Sequence, residues 1–208
     1  MKRKRYGFTV AEVLVTMAVL GVLATILVPT LRSTRPNEEM VMLKKVYYLA
    51  GRTVNELIND DQFYTEDEGF ADTSRVDYHG QHPEGASKFC ELFAARMNLR
   101  GASDCTAARS VADGGNFTTA DGIVWSLPIT TFNGADDARY DILVDVNGLR
   151  KGTNRTEFGG TQGAPDRFTI SIDKFGRIYV PENGIEQDYL TSNDTTRTYH
   201  EFLRRRQH

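Results

Sequence analysis

The 208-residue chain is poor in the residues from which catalytic and metal sites are usually built. It holds two cysteines and four histidines, His79, His82, His200 and His208, and none of the histidines falls in an HExxH pattern. His79 and His82 lie in a polar stretch with no cysteine near them, so they read as exposed loop residues. GxSxG, P-loop and GxGxxG patterns are missing as well, which leaves catalysis without support. Neither sign of charge dominates: 25 Lys and Arg stand against 28 Asp and Glu, a net charge of -3. That balance argues against a nucleic-acid binder. A charged fraction of 25%, an apolar fraction of 40% and a mean hydropathy of -0.42 exclude both a disordered polyelectrolyte and a polytopic membrane protein. There is no internal repeat. The length suits one domain, or one domain with an appendage.

The apolar residues are unevenly spread. Residues 8–31 contain 17 in 24, whereas residues 32–208 contain 64 in 177. Lys2, Arg3, Lys4 and Arg5 precede the apolar segment, and no charge occurs from Val13 to Val28. A helix over 8–31 would reach about 36 Å, enough for a hydrocarbon core of about 30 Å. The basic cluster places the N-terminus in the cytoplasm and the remainder across the membrane. A Sec signal peptide fits poorly, because the apolar run is long and Pro29, Thr30, Leu31 and Arg32 form no small-x-small cleavage site. A plain uncleaved anchor leaves Glu12 unexplained, since an unpaired carboxylate at membrane depth costs several kcal/mol.

The string Gly7-Phe8-Thr9-Val10-Ala11-Glu12, behind a short basic leader and ahead of about 20 apolar residues, resembles the class III signal of type IV pilins and type II secretion pseudopilins. The resemblance implies cleavage after Gly7 by a prepilin peptidase, N-methylation of the new terminal Phe8, Glu12 as the assembly acid and Pro29 as a helix-kinking proline. It implies an α+β fold in which a long N-terminal helix, membrane-spanning and then amphipathic, packs on a C-terminal antiparallel sheet. The expected parts are a leader over 1–7, a transmembrane and assembly helix over 8–31, and a periplasmic or extracellular domain over 32–208. The implied partners are pilin or pseudopilin subunits and an inner-membrane assembly platform, in a single-pass protein of the bacterial inner membrane. Physically, the amine freed on Phe8 and Glu12 of a neighbour are both costly in lipid until they meet, so the pair penalises wrong axial staggers. Ala18, Gly21 and Ala24 offer small surfaces for close helix approach.

Pro29 and Pro36 predict a bend or local melting across 28–37. Met40, Leu43, Tyr47, Ala50, Val54 and Leu57 then form one stripe, predicting an amphipathic helix over 37–60 laid on a sheet. Residues 61–85 read as loop. Residues 86–100 read as a helix with Phe89, Leu92, Phe93 and Met97 on one face and Gly101 as its C-cap. Strands are expected over 122–127, 140–146, 167–172 and 177–180, the last two joined by the turn Asp173-Lys174-Phe175-Gly176.

Cys90 and Cys105 read as a disulfide in an exported domain, worth about 3 kcal/mol by loop entropy; two free buried thiols are the alternative. The stretch Asp145-Val146-Asn147-Gly148, followed by Gly152, Asn154, Gly159, Gly160, Gly163 and Asp166, has the oxygens and glycines that suit calcium, although it fails the EF-hand pattern. Some major pseudopilins carry a calcium loop, and by that looser resemblance Asp145, Asn147 and Asp166 are the candidate ligands. A metal-free network of Asx turns is the alternative. Asn116, Asn154 and Asn193 begin N-x-Thr triplets of a kind common by chance. Arg204, Arg205 and Arg206 read as a solvated tail. Without residues 1–7 the count becomes 21 basic against 28 acidic residues, a charge of -7, which disfavours a DNA-binding role. The calcium-like loop and the lack of a C-terminal disulfide favour a secretion pseudopilin. A type IV or minor pilin for adhesion, motility or DNA uptake is the near alternative, and a membrane-anchored periplasmic binding or sensor domain is the alternative of another class.

Overall fold

A computed structural model of the chain describes residues 9–33, 37–149, 151–155 and 164–195, with the backbone alone for 26–33. The first helix, α1, runs over Val10–Ser33. Helical backbone thus continues through Pro29, and the expected melting does not set in before Ser33. One missing donor is tolerated because the bonds on either side of it persist. Pro36 lies outside the described residues.

The second helix, α2, covers Glu38–Ile58. Asn37 caps it, its side chain accepting the Met40 N–H at 3.0 Å, and Glu38 and Glu39 fill the first turn, where the helix dipole favours negative charge. Met40, Leu43, Ala50, Val54 and Leu57 are fully buried, as their spacing predicts. Val46, rather than Tyr47, takes the central place; Tyr47 packs beside the core and is only partly buried. A 3.6-residue period lets either of two adjacent positions face the core, and the smaller residue wins the interior.

The polar stretch after α2 is anchored by its aromatics. Tyr64 meets Phe70 at 4.9 Å between ring centroids, Phe70 meets Phe89 at 4.9 Å, and Phe89 meets Phe132 at 5.2 Å. The third helix, α3, is Lys88–Ala95, shorter than the expected span of 86–100. A 3-10 turn over Gly85–Ser87 replaces its start. At its end the Arg96 and Met97 N–H groups bond three residues back, to Phe93 and Ala94, so the coil tightens and stops. Arg96, not Gly101, is therefore the C-cap. Leu99 instead forms a bridge with Thr119.

Five antiparallel strands follow in the order of the chain: β1 (Phe117–Thr118), β2 (Val124–Ser126), β3 (Tyr140–Asp145), β4 (Arg167–Ile172) and β5 (Ile178–Tyr179). Four were expected, and the two-residue β1 is the addition. In β4, Phe168, Ile170 and Ile172 are fully buried, and Val144 and Ile142 of β3 stand opposite the first two of them. The β4–β5 turn closes on Asp173, whose Oδ1 accepts the Phe175 and Arg177 N–H groups at 3.0 Å each. Gly176 has φ +77°, and a Cβ there would lie 3.2 Å from both Val54 and Ile58, so glycine lets the turn slide under α2. A short helix, α4 (Ile185–Thr191), was not expected. It packs beside α2, with Tyr189 buried 6.0 Å from the Phe168 ring and Lys44 Nζ donating to the Ser192 carbonyl. The result is an α+β, pilin-like arrangement: N-terminal helices followed by an antiparallel sheet, with α2 reaching from Asp121 between β1 and β2, which pairs with Lys45, to Gly176 in the β4–β5 turn.

Candidate functional site

From Thr9 to Thr25 every residue of the N-terminal segment is exposed. Val10 is 77% exposed, Leu14 65%, Met17 67% and Leu20 62%, so the apolar surface runs around α1 and no other described residue covers it. Glu12 is the one charge between Val10 and Val28. Its Oε2 accepts the Thr9 N–H at 2.8 Å and the Thr9 hydroxyl at 2.9 Å, while the Glu12 N–H donates to Thr9 Oγ1 at 3.3 Å. This is a capping box, two orphan donors satisfied reciprocally at the helix start. Thr-x-x-Glu ahead of an apolar run is readable in the sequence; considering Glu12 only as an intersubunit partner misses it. Gly7 and Phe8 lie outside the described residues, and Pro29 is described by its backbone only. The 24 residues of α1 extend about 36 Å. Among the described residues no helix is long and apolar enough to cross a membrane, the described side chains of α1 ending at Thr25.

Residues 2–28 match the family model described as the prokaryotic N-terminal methylation motif. The chain carries a prepilin-type signal. Gly7, Phe8 and Glu12 fall within the matched residues and Pro29 lies one residue past them. The prepilin signal marks structural subunits of the type IV pilin-like and pseudopilin class, which are processed by prepilin peptidase, anchored in a membrane and assembled with other pilin-type subunits. No curated protein and no solved structure matches the chain.

Cys90 and Cys105 form a disulfide, with a Cα–Cα distance of 5.7 Å, tying α3 to the segment that precedes β1. Beside it in sequence, Lys88 is 1% exposed, a position composition gives no reason to expect for a lysine. Its Nζ donates to the Asp72 carbonyl at 3.0 Å, stands 3.5 Å from the Asp72 carboxylate and lies 4.5 Å from the Tyr64 ring centroid. Burial pushes the Lys88 ammonium down from its ordinary value against the pull of Asp72. Burial raises the Asp72 carboxyl too, but hydrogen bonds from Ser74 and the Lys88 charge outweigh that and hold it below the usual carboxylate range. His79 and His82 are exposed, as expected, with His82 Nδ1 2.5 Å from Asp77.

The structure brings Asp145, Asn147 and Asp166 together. Asp145 and Asp166 are both fully buried. Asp145 Oδ1 accepts the Gly148 N–H at 2.8 Å, and its Oδ2 accepts from Arg167 Nε at 3.1 Å. Asp166 Oδ1 accepts the Arg155 N–H and Oδ2 the Asn154 N–H, each at 2.9 Å. Asn147 Oδ1 is buried without a hydrogen-bond partner, a single neutral oxygen where calcium takes six to eight. Among the described residues this donor set does not fit calcium: the ion would have to displace a guanidinium and four backbone N–H groups, those of Asn147, Gly148, Asn154 and Arg155. Asp145 makes an Asx turn with the Asn147 N–H at 3.4 Å, whereas Asp166 binds N–H groups 11 and 12 residues earlier in the chain. Among the described residues no group of three or more His, Cys, Asp or Glu could hold a metal ion. Gly159, Gly160 and Gly163 lie outside the described residues.

Proposed function

We propose that this chain is a subunit of a type IV pilus-like filament, inserted across the inner membrane with its N-terminus in the cytoplasm, cleaved after Gly7, methylated on Phe8 and assembled through α1. The observation that carries the reading is one juxtaposition: a prepilin signal leads into a helix whose described apolar side chains are exposed on every side. In water such a helix has no stable environment. A bilayer supplies one before assembly, and neighbouring α1 helices supply one afterwards. Glu12 is the assembly acid, with Pro29 further along the same helix. The capping box is compatible with that role, because both Thr9 bonds fall on Oε2 and orient the carboxylate at the end of the helix nearest the new amine.

Within this class the reading is a type II secretion pseudopilin. The mid-chain position of the Cys90–Cys105 disulfide supports it; the described residues of the loop at 145–166 lend it no support, since Asp145, Asn147 and Asp166 do not fit calcium. A type IV or minor pilin is the second reading, with the same processing and the same helix. The acidic charge of residues 8–208 weighs against direct DNA binding in either case.

A pair of substitutions tests assembly through Glu12 separately from helix capping. Glu12→Ala is expected to stay in the membrane fraction and to be missing from sheared filaments. Thr9→Val breaks the box but keeps the carboxylate, and it is expected to assemble. Normal incorporation of Glu12→Ala would reject Glu12 as the assembly acid, and absence of the wild-type chain from sheared filaments would overturn the proposal itself.

A further inference from the structure

Asp145 and Asp166, fully buried at the base of the connection between β3 and β4, require a compensating charge or dipole, because an isolated buried carboxylate is strongly disfavoured. A bound cation is one solution. The register of the sheet supplies another: Asp145, the last residue of β3, stands directly across from Arg167, the first of β4. Arg167 Nε lies 3.1 Å from Asp145 Oδ2, with the arginine side chain 16% exposed and the aspartate 0%. A second guanidinium nitrogen reaches Asn154 Oδ1 at 3.4 Å, and Asn154 Nδ2 donates to the Leu149 carbonyl at 3.3 Å. The Arg167 side chain therefore links the end of β3 to Asn154, which in turn holds Leu149.

Asp166 is compensated differently, by the N–H groups of Asn154 and Arg155, while its own N–H and that of Arg167 donate to the Arg155 carbonyl. Gly152 closes the space above the carboxylates: its φ is +74°, and a Cβ there would sit 2.0 Å from Asp166 Oδ2 and 2.3 Å from Asn147 Nδ2. A side chain at position 152 would therefore collide with Asp166 and Asn147, so glycine lets the backbone close on them.

We propose that Arg167 is the built-in cation of this loop, a positioning residue that holds the described arms of the β3–β4 connection closed without a metal. The guanidinium does at Asp145 what a divalent ion would otherwise do there, with the advantage that its charge is permanent and its fork is matched to a carboxylate and a carbonyl-type oxygen. A filament subunit built this way keeps these described arms together whatever the calcium concentration outside the cell.

The test uses the full chain in detergent micelles, with calcium chloride or EGTA as the only variable, reading the Tm and the exchange of the Gly148, Asn154 and Arg155 amides. Wild type is expected to give the same Tm and the same exchange rates in both buffers. Arg167→Gln is expected to speed exchange at these amides about 10- to 100-fold in either buffer, as loss of a charge-assisted hydrogen bond implies. Arg167→Lys keeps the charge without the fork and is expected to fall between, which serves if the glutamine variant does not fold. A wild-type Tm raised by calcium, or wild-type amides slowed by it, would establish a metal site and overturn the proposal. Unchanged exchange in Arg167→Gln, or in Arg167→Lys where that is the variant measured, would overturn it as well.

Discussion

Lys88 and Asp72 make a buried ion pair of the kind that is costly to break and cheap to replace whole. Removing one partner leaves the other charge in a poor solvent, so Lys88→Ala is expected to lower the unfolding free energy by about 3–5 kcal/mol. The double variant Lys88→Met with Asp72→Asn is expected to recover most of that loss in urea unfolding. The pH dependence follows from the depressed Asp72 carboxyl. Its folded pKa lies below the unfolded value of about 3.9, so its stabilisation is complete above that value and is lost as pH falls through the folded pKa. Asp72→Asn should therefore be less stable than wild type near pH 6, with the gap closing as the solution is acidified below about pH 4. A gap that stays constant with pH would show that the carboxylate charge is not what stabilises the fold. None of this is legible in the sequence, where Lys88 is one cation among 25. Only the fold brings residue 72 to residue 88 and lays Tyr64 against Lys88.

At the scale of elements, periodicity served where an element was long. The stripe on α2 and the alternation in β4 could be read because each repeats enough times to outweigh chance. The two-residue strand β1 and the seven-residue α4 carry no such repeat, and they form because partners already in place, β2 and α2, offer them a surface. The end of α3 was misplaced because a helical pattern says nothing of the β-bridge that takes Leu99 for Thr119. In the candidate site the signal of Glu12 was legible, and its cap with Thr9 lay in the same letters. Arg167 was not, since its role depends on strand register, which puts it opposite a residue 22 positions earlier. The disulfide is the strongest local tie on α3. Cys90 and Cys105 both belong to the core, and replacing them together by alanine is expected to cost about 3 kcal/mol through the released loop, read by urea unfolding. A cost near zero would mean that the unfolded chain gains nothing from release of that loop.

The whole molecule divides into parts with opposite preferences for water. The described residues from 37 onward carry the sheet, the disulfide and the buried polar contacts, whereas α1 displays apolar side chains that no other described residue covers. Four cations precede that helix, and in the proposed reading they form its leader. The account stands or falls on whether that leader is removed at the position the signal specifies. Intact-mass and N-terminal peptide mass spectrometry of the protein, purified from a host with a prepilin peptidase, measures it directly. The predicted result is a chain beginning at N-methylated Phe8, with the full-length form accumulating when the peptidase is deleted. A protein that keeps residues 1–7, or is cut at another bond, would contradict the account.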